Sequence, residues 1–198
     1  MTITAKHVPS LRPARNLTAA TAAAAAFLEA LGVDLTAESL HDTPARMARA
    51  YADLLTAREF KLTTFDNDEG YDELVMARNI PIRSVCEHHL LPFVGVAHVG
   101  YLPATRILGL SKLARVVEMF AHGTQVQERL TKQIADWLTD ELEPNGVGVV
   151  IEAEHLCMTL RGVQAVGART TTSTMLGALR TNAASRSEFL AMAGFGPR

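Results

Sequence analysis

Cysteine is scarce in this chain, with two among 198 residues, which excludes a disulfide-stapled scaffold. There is no run of Lys and Arg, and the formal net charge is -2, so neither a general attraction to nucleic acid nor a basic tail is expected. No apolar stretch reaches the ~20 residues needed to cross a bilayer, so no membrane partner is expected either. No glycine-rich turn joins a strand to a helix and no P-loop is present, which argues against a doubly wound nucleotide-binding fold. Lys6, Arg12 and Arg15 before the alanine run Ala19 to Ala26 have the outline of a signal peptide. That run is weakly hydrophobic, however, and continues into Phe27-Leu28-Glu29-Ala30-Leu31, so it reads as a helix in a cytoplasmic protein.

What is present is enough for a core: 48% hydrophobic and 20% charged residues, the size of one ordinary domain with a helical extension. The two cysteines are not isolated. One lies in Ser84-Val85-Cys86-Glu87-His88-His89 and the other in Glu154-His155-Leu156-Cys157, so each has a histidine within three positions. Thiolate and imidazole donors together suit zinc. Cys86, His89 and Cys157 form a candidate set of three ligands, the number that leaves a fourth position open in a catalytic site. A structural zinc would take a fourth protein ligand from His88 or His155. A histidine left spare beside a metal is a natural proton carrier near neutral pH.

Taken in order, residues 1–15 carry Pro9 and Pro13 without periodicity and read as a flexible arm. Residues 16–60 read as a helical region: an alanine-rich helix starting at Thr18 or Thr21 and ending at Gly32, then a second helix opened by Asp42-Thr43-Pro44. Thr63 to Tyr71 is polar and reads as a surface loop. Within 61–198, Leu74-Val75-Met76, Ile80-Pro81-Ile82 and Phe93 to Tyr101 are strand-like, with Pro81 marking an edge or bulge and Cys86 to Pro92 at the connection before the last run. Ser111 starts a long helical region, interrupted at Gly123 and stopped at Pro144-Asn145-Gly146. Val147 to Cys157 and Val163 to Thr174 read as strands, which would place His155 and Cys157 on one face. Ser185 to Met192 reads as a closing helix. The expected class is α+β, an antiparallel sheet with the helices on one face.

Basic residues also stand where a helix should begin, in Gly109-Leu110-Ser111-Lys112-Leu113-Ala114-Arg115. Lys112 and Arg115 oppose the helix dipole there unless an anion is bound; backbone N–H groups, Ser111 and two cations would make a phosphate site. Two solvated basic residues explain the pattern equally well. Glu128, beside Gln127, could accept paired N–H groups of a base, although spacing alone favours a surface carboxylate. Arg46 on its own reads as part of a solvated face.

Together, Cys86-Glu87-His88-His89, Gly109-Leu110-Ser111-Lys112, the run Gln125 to Thr131, and Glu154-His155-Leu156-Cys157 followed by Arg161-Gly162-Val163 resemble type I GTP cyclohydrolase, from about residue 16 to the C-terminus. The resemblance implies the tunnelling fold, an antiparallel sheet with two long helices on one face, and a homodecamer of two pentamers with sites between subunits. The implied reaction converts GTP and water to formate and 7,8-dihydroneopterin triphosphate, with zinc as cofactor. It makes Cys86, His89 and Cys157 the zinc ligands and His88 and His155 the catalytic histidines, with His155 as main proton donor and Ser111 near the ribose. Gln127 and Glu128 become the guanine-binding pair. Lys112, Arg115 and Arg161 become triphosphate contacts, joined by Arg46 from a neighbouring subunit. Val96 and His122-Gly123 stand where members often carry basic residues. Two other readings stay open: another enzyme of the same fold, such as a pterin synthase or a nitrile reductase that uses a cysteine nucleophile with NADPH, and a non-catalytic member that keeps zinc as a staple.

Overall fold

The computed structural model describes residues 2–8 and 15–196. In chain order the elements are β1 (Ile3–Val8), α1 (Leu17–Ala30), α2 (Thr43–Leu54), β2 (Phe60–Asp66), β3 (Val75–Cys86), β4 (Pro92–Leu102), β5 (Arg106–Leu108), α3 (Ser111–Ala121), β6 (Thr124–Gln125), α4 (Gln127–Leu142), β7 (Gly146–His155), α5 (Leu156–Thr159), β8 (Thr170–Gly177), α6 (Ala178–Thr181) and α7 (Ala183–Met192). They form an α+β fold with a five-stranded sheet ordered β6-β3-β4-β7-β8 and a three-stranded sheet ordered β1-β2-β5. The large sheet is antiparallel except at β6, whose two residues run parallel to the end of β3 and pair Cys86 with Gln125.

Side-chain alternation along the central strands builds two cores. In β7, Val147, Val149, Ile151 and Ala153 face the main core, and Val150 faces the other side. Leu113, Val116 and Val117 of α3 and Leu130, Ile134 and Leu138 of α4 are fully buried in the main core. Each such side chain contributes about 1.5–3 kcal/mol by leaving water. Both long helices therefore lie on one face, as expected, and α4 stops where Glu143 turns left-handed (φ 47°) before Pro144. The opposite face is covered by α7. Its Phe189 ring rests on the cross-strand pair Gly100 and Gly148, where a Cβ on Gly148 would come within 2.6 Å of the ring. Two glycines are needed there to admit a flat aromatic ring against the sheet.

Several expectations change. Ile3–Val8, expected within a flexible arm, pairs antiparallel with β2 from Ile3↔Phe65 to Val8↔Phe60; residues 9–14 of that arm lie outside the described residues. The same pairing converts Thr63–Asp66 from a loop to the end of β2. The first helix begins at Leu17, because Asn16 caps it by accepting from the Ala19 N–H at 2.9 Å. The last strand begins at Thr170, later than its apolar residues suggested. The strand-like runs around Ala77 and Ile80 are one strand with a bulge between those residues, where Asn79 takes φ 56°. Pro81 follows directly, as its missing N–H favours.

On the α7 face His98 is buried, with no hydrogen-bond partner for its Nδ1 among the described residues, and its ring stands edge-on to Phe195 at 5.9 Å. Burial lowers its basicity, the Arg78 charge adds to this, and Glu152 opposes it. The fold therefore favours the neutral ring. Below the unfolded value of about 6.5 the unfolded chain binds more protons, so stability is lost as pH falls through that point. Urea midpoints measured across this range are expected to fall more steeply for the unmodified protein than for His98→Leu.

Candidate metal and catalytic site

The end of β3 passes into a tight turn before β4. The Cys86 N–H donates to Leu91 O at 2.9 Å, and Leu90 N–H returns to Cys86 O at 2.8 Å, with Leu90 at φ 54°. This turn brings Cys86 and His89 to one side. It is held from outside by Tyr51 of α2, whose hydroxyl donates to Leu90 O at 3.0 Å. It is also held by the Glu87–Arg129 ion pair, where Arg129 Nε donates to Gln125 Oε1 at 2.9 Å.

The second cysteine arrives from β7. The strand ends at His155 and the chain enters the helical turn α5 at Leu156, so Cys157 is not a strand residue sharing a face with His155. That helical turn carries Cys157 Sγ to 3.9 Å from Cys86 Sγ, which is itself 3.9 Å from His89 Nδ1. The three donor atoms all lie within 4.8 Å of one another. Donors at the usual zinc distances in a tetrahedron stand roughly 3.5–3.8 Å apart, so two thiols and an imidazole in this arrangement fit a zinc ion. Burial pushes the Cys157 thiol up, and the Cys86 thiol beside it pushes the same way. Paired thiolates at this spacing call for a cation.

Neither spare histidine joins the group. His88 Nδ1 is 4.0 Å from Cys86 Sγ and its side chain is exposed. His155 stacks on Phe93, its register partner across β4 and β7, with ring centroids 4.6 Å apart and planes at 9°. Its Nε2 lies 2.8 Å from Gln127 Oε1. Burial lowers its basicity and the nearby Glu128 carboxylate opposes this, so Glu128 faces the same region. Arg161 also lies close enough to act on Cys157.

The other candidates are not gathered here. Ser111, Lys112 and Arg115 begin α3, whereas the helix's far end meets Gly123, whose carbonyl accepts from Val85 N–H and Ser84 Oγ. The 11 residues of α3 span about 16 Å, so its basic end points away from Cys86. Arg115 pairs with Glu118 at 2.8 Å, and Lys112 has no side-chain hydrogen bond or ion pair among the described residues. Arg46 contacts Ser39, Thr43 and Asp42 of its own segment.

The sequence alone did not point to Phe93, Arg129 or Tyr51: Phe93 meets His155 only through the register of β4 and β7, and Arg129 and Tyr51 reach the turn from elements 42 and 39 positions away from their partners, with no local signal.

Residues 20–194 match the family described as GTP cyclohydrolase I. The chain is 52% identical over 178 residues to "GTP cyclohydrolase 1" of Corynebacterium glutamicum, spanning 87% of this chain and 91% of that protein. It is 51% identical over 164 residues to the protein of that name from Aquifex aeolicus, spanning 83% and 89%. It is 55% identical over 178 residues to the one from Mycobacteroides abscessus, spanning 86% of each. On the family match and these identities, the chain belongs to the GTP cyclohydrolase I family.

Proposed function

We propose that this protein is a cytoplasmic, zinc-dependent enzyme of the tunnelling fold that converts GTP to formate and 7,8-dihydroneopterin triphosphate, an entry step to folate or other pterins. The observation that carries the proposal is the Cys86–His89–Cys157 cluster with His155 and Glu128 beside it. Cys86, His89 and Cys157 would hold a zinc ion, which would supply Lewis-acid polarisation and lower the pKa of water near neutral pH.

The chain's own groups do the rest. Glu128 accepts paired N–H groups from the edge of guanine, a geometry that suits a carboxylate. His155 and His88 move protons between water and the imidazole nitrogens of the base; burial keeps His155 in its neutral, proton-accepting form at rest. Opening the ring consumes one water, release of formate a second, and closure of the rearranged ribose onto the freed amine returns one. Arg161, Lys112 and Arg115 hold the triphosphate, with Ser111 near the ribose and backbone N–H groups at the start of α3 favouring anions.

Because the start of α3 lies a helix length from Cys86 and Arg46, among the described residues, contacts only its own segment, we infer that these residues serve a site on a neighbouring copy, in a decamer of two pentamers. Phe27 and Leu31, exposed on α1, are suited to burial between copies.

The test is to incubate the zinc-loaded protein with GTP, with and without a chelator, and to measure formate and the fluorescence of the oxidised pterin. Formation of both, abolished by the chelator, is expected; no formate from zinc-loaded protein overturns the proposal.

A further inference from the structure

We propose that Gln127 is a positioning residue that holds His155 as its Nε2–H tautomer and leaves Nδ1 as the atom that takes up and gives back the proton. This rests on the reading of His155 as a proton carrier. It departs from the expectation that Gln127 contacts guanine.

The protons around Gln127 can be placed one by one. Its side-chain nitrogen lies 2.9 Å from Thr170 O and 3.1 Å from Ile151 O. Both are backbone carbonyls and can only accept. Turning the amide over would set its oxygen against two carbonyl oxygens, so Nε2 faces them and Oε1 faces His155. The same nitrogen is 3.1 Å from Thr172 Oγ1, which is 2.6 Å from Thr131 Oγ1. The Thr131 hydroxyl donates to the Gln127 backbone carbonyl at 2.7 Å. Its proton is therefore spent, so Thr172 donates to Thr131 and accepts from Gln127. The hydroxyl protons therefore run one way, from Thr172 to Thr131 and from Thr131 to the Gln127 carbonyl, while the two amide protons of Gln127 are shared among the three acceptors around its nitrogen.

Gln127 is 1% exposed, so no solvent water competes for these contacts. An amide oxygen held at 2.8 Å from His155 Nε2 is an acceptor only, which requires a proton on Nε2. In the neutral ring the lone pair is then on Nδ1. Stacking on Phe93 sets the plane of the ring, and Gln127 sets its rotation within that plane. With its two amide protons shared among Thr170 O, Ile151 O and Thr172 Oγ1, the Gln127 side chain has no donor left for a base. Of the two adjacent residues, only the exposed Glu128 can reach one.

Solid-state 15N NMR of the zinc-loaded, histidine-labelled protein at neutral pH reads the tautomer directly, with His155 assigned by its loss in His155→Gln. The expected result is a pyrrole-type Nε2 and a pyridine-type Nδ1; a protonated Nδ1 with a bare Nε2 overturns the proposal, and this measurement needs no change at Gln127. In Gln127→Leu, and more mildly in Thr172→Val, kcat is expected to fall by about 10- to 100-fold while KM for GTP stays within about threefold. A KM raised by that factor with kcat retained would make Gln127 a base contact and overturn it. A zinc-loaded wild type that turned over no GTP would defeat the proposed reaction but not the tautomer assignment, so the two failures are distinguishable.

Discussion

Cys157→Ser is expected to lose both bound zinc and activity. The thiol is buried and 3.9 Å from its Cys86 counterpart, and Ser places a shorter, harder, rarely ionised donor at that position. Lewis-acid polarisation is worth several kcal/mol, so its loss lowers the rate by roughly 10³-fold or more. Zinc content by mass spectrometry and formate release from GTP check the two parts together. Cys86→Ser should behave alike, because each thiol faces the same centre. A Cys157→Ser protein that kept one zinc per chain and its normal rate would remove the cluster from the mechanism.

His155→Ala gives the second large effect, of a different kind. The residue is outside the three-donor group, so zinc content should stay unchanged. GTP affinity should also persist, since Glu128 and the cationic residues remain. Formation of the pterin triphosphate is expected to fall by about 10²- to 10⁴-fold, the usual contribution of a positioned proton carrier. Formate release, zinc content and GTP titration calorimetry separate these predictions. His88→Ala should cost less, because His88 is exposed and, among the described residues, meets only the edge of His89 rather than a stacked ring like Phe93. A His155→Ala protein that produced pterin at the normal rate would end the assignment.

The three-donor cluster is legible in the sequence itself. With only two cysteines, each beside a histidine, Cys86, His89 and Cys157 had few competitors as ligands. The helix stop at Pro144-Asn145-Gly146 and the apolar spacing of Leu113, Val116 and Val117 mark the long helices because those signals are local. What stayed hidden depends on pairing across the sheet. Phe93 lies opposite His155 only in the register of β4 and β7, and Gln127 meets Thr170 and Thr172 only once β8 is in place. A glutamine at the start of a helix ordinarily reads as exposed; here it is among the most buried polar side chains. Strand β1 was missed because its residues are exposed on both faces up to Val8, so no alternation marks it. The helical turn at Leu156 was missed for the opposite reason: four residues are too few to show a period.

The strand order gives the cysteine pair one more role. Cys86 ends β3 and Cys157 follows β7, with β4 running between those strands. An ion joining them spans a segment separated by 71 positions and locks three strands at one end. By the chain-entropy relation for cross-links, closing a loop of that length removes about 4 kcal/mol of disorder from the unfolded ensemble. An ion held by Cys86, His89 and Cys157 would then also act as the clasp of the sheet. Demetallation would slacken the topology as well as silence the chemistry, and heat resistance would track metal occupancy.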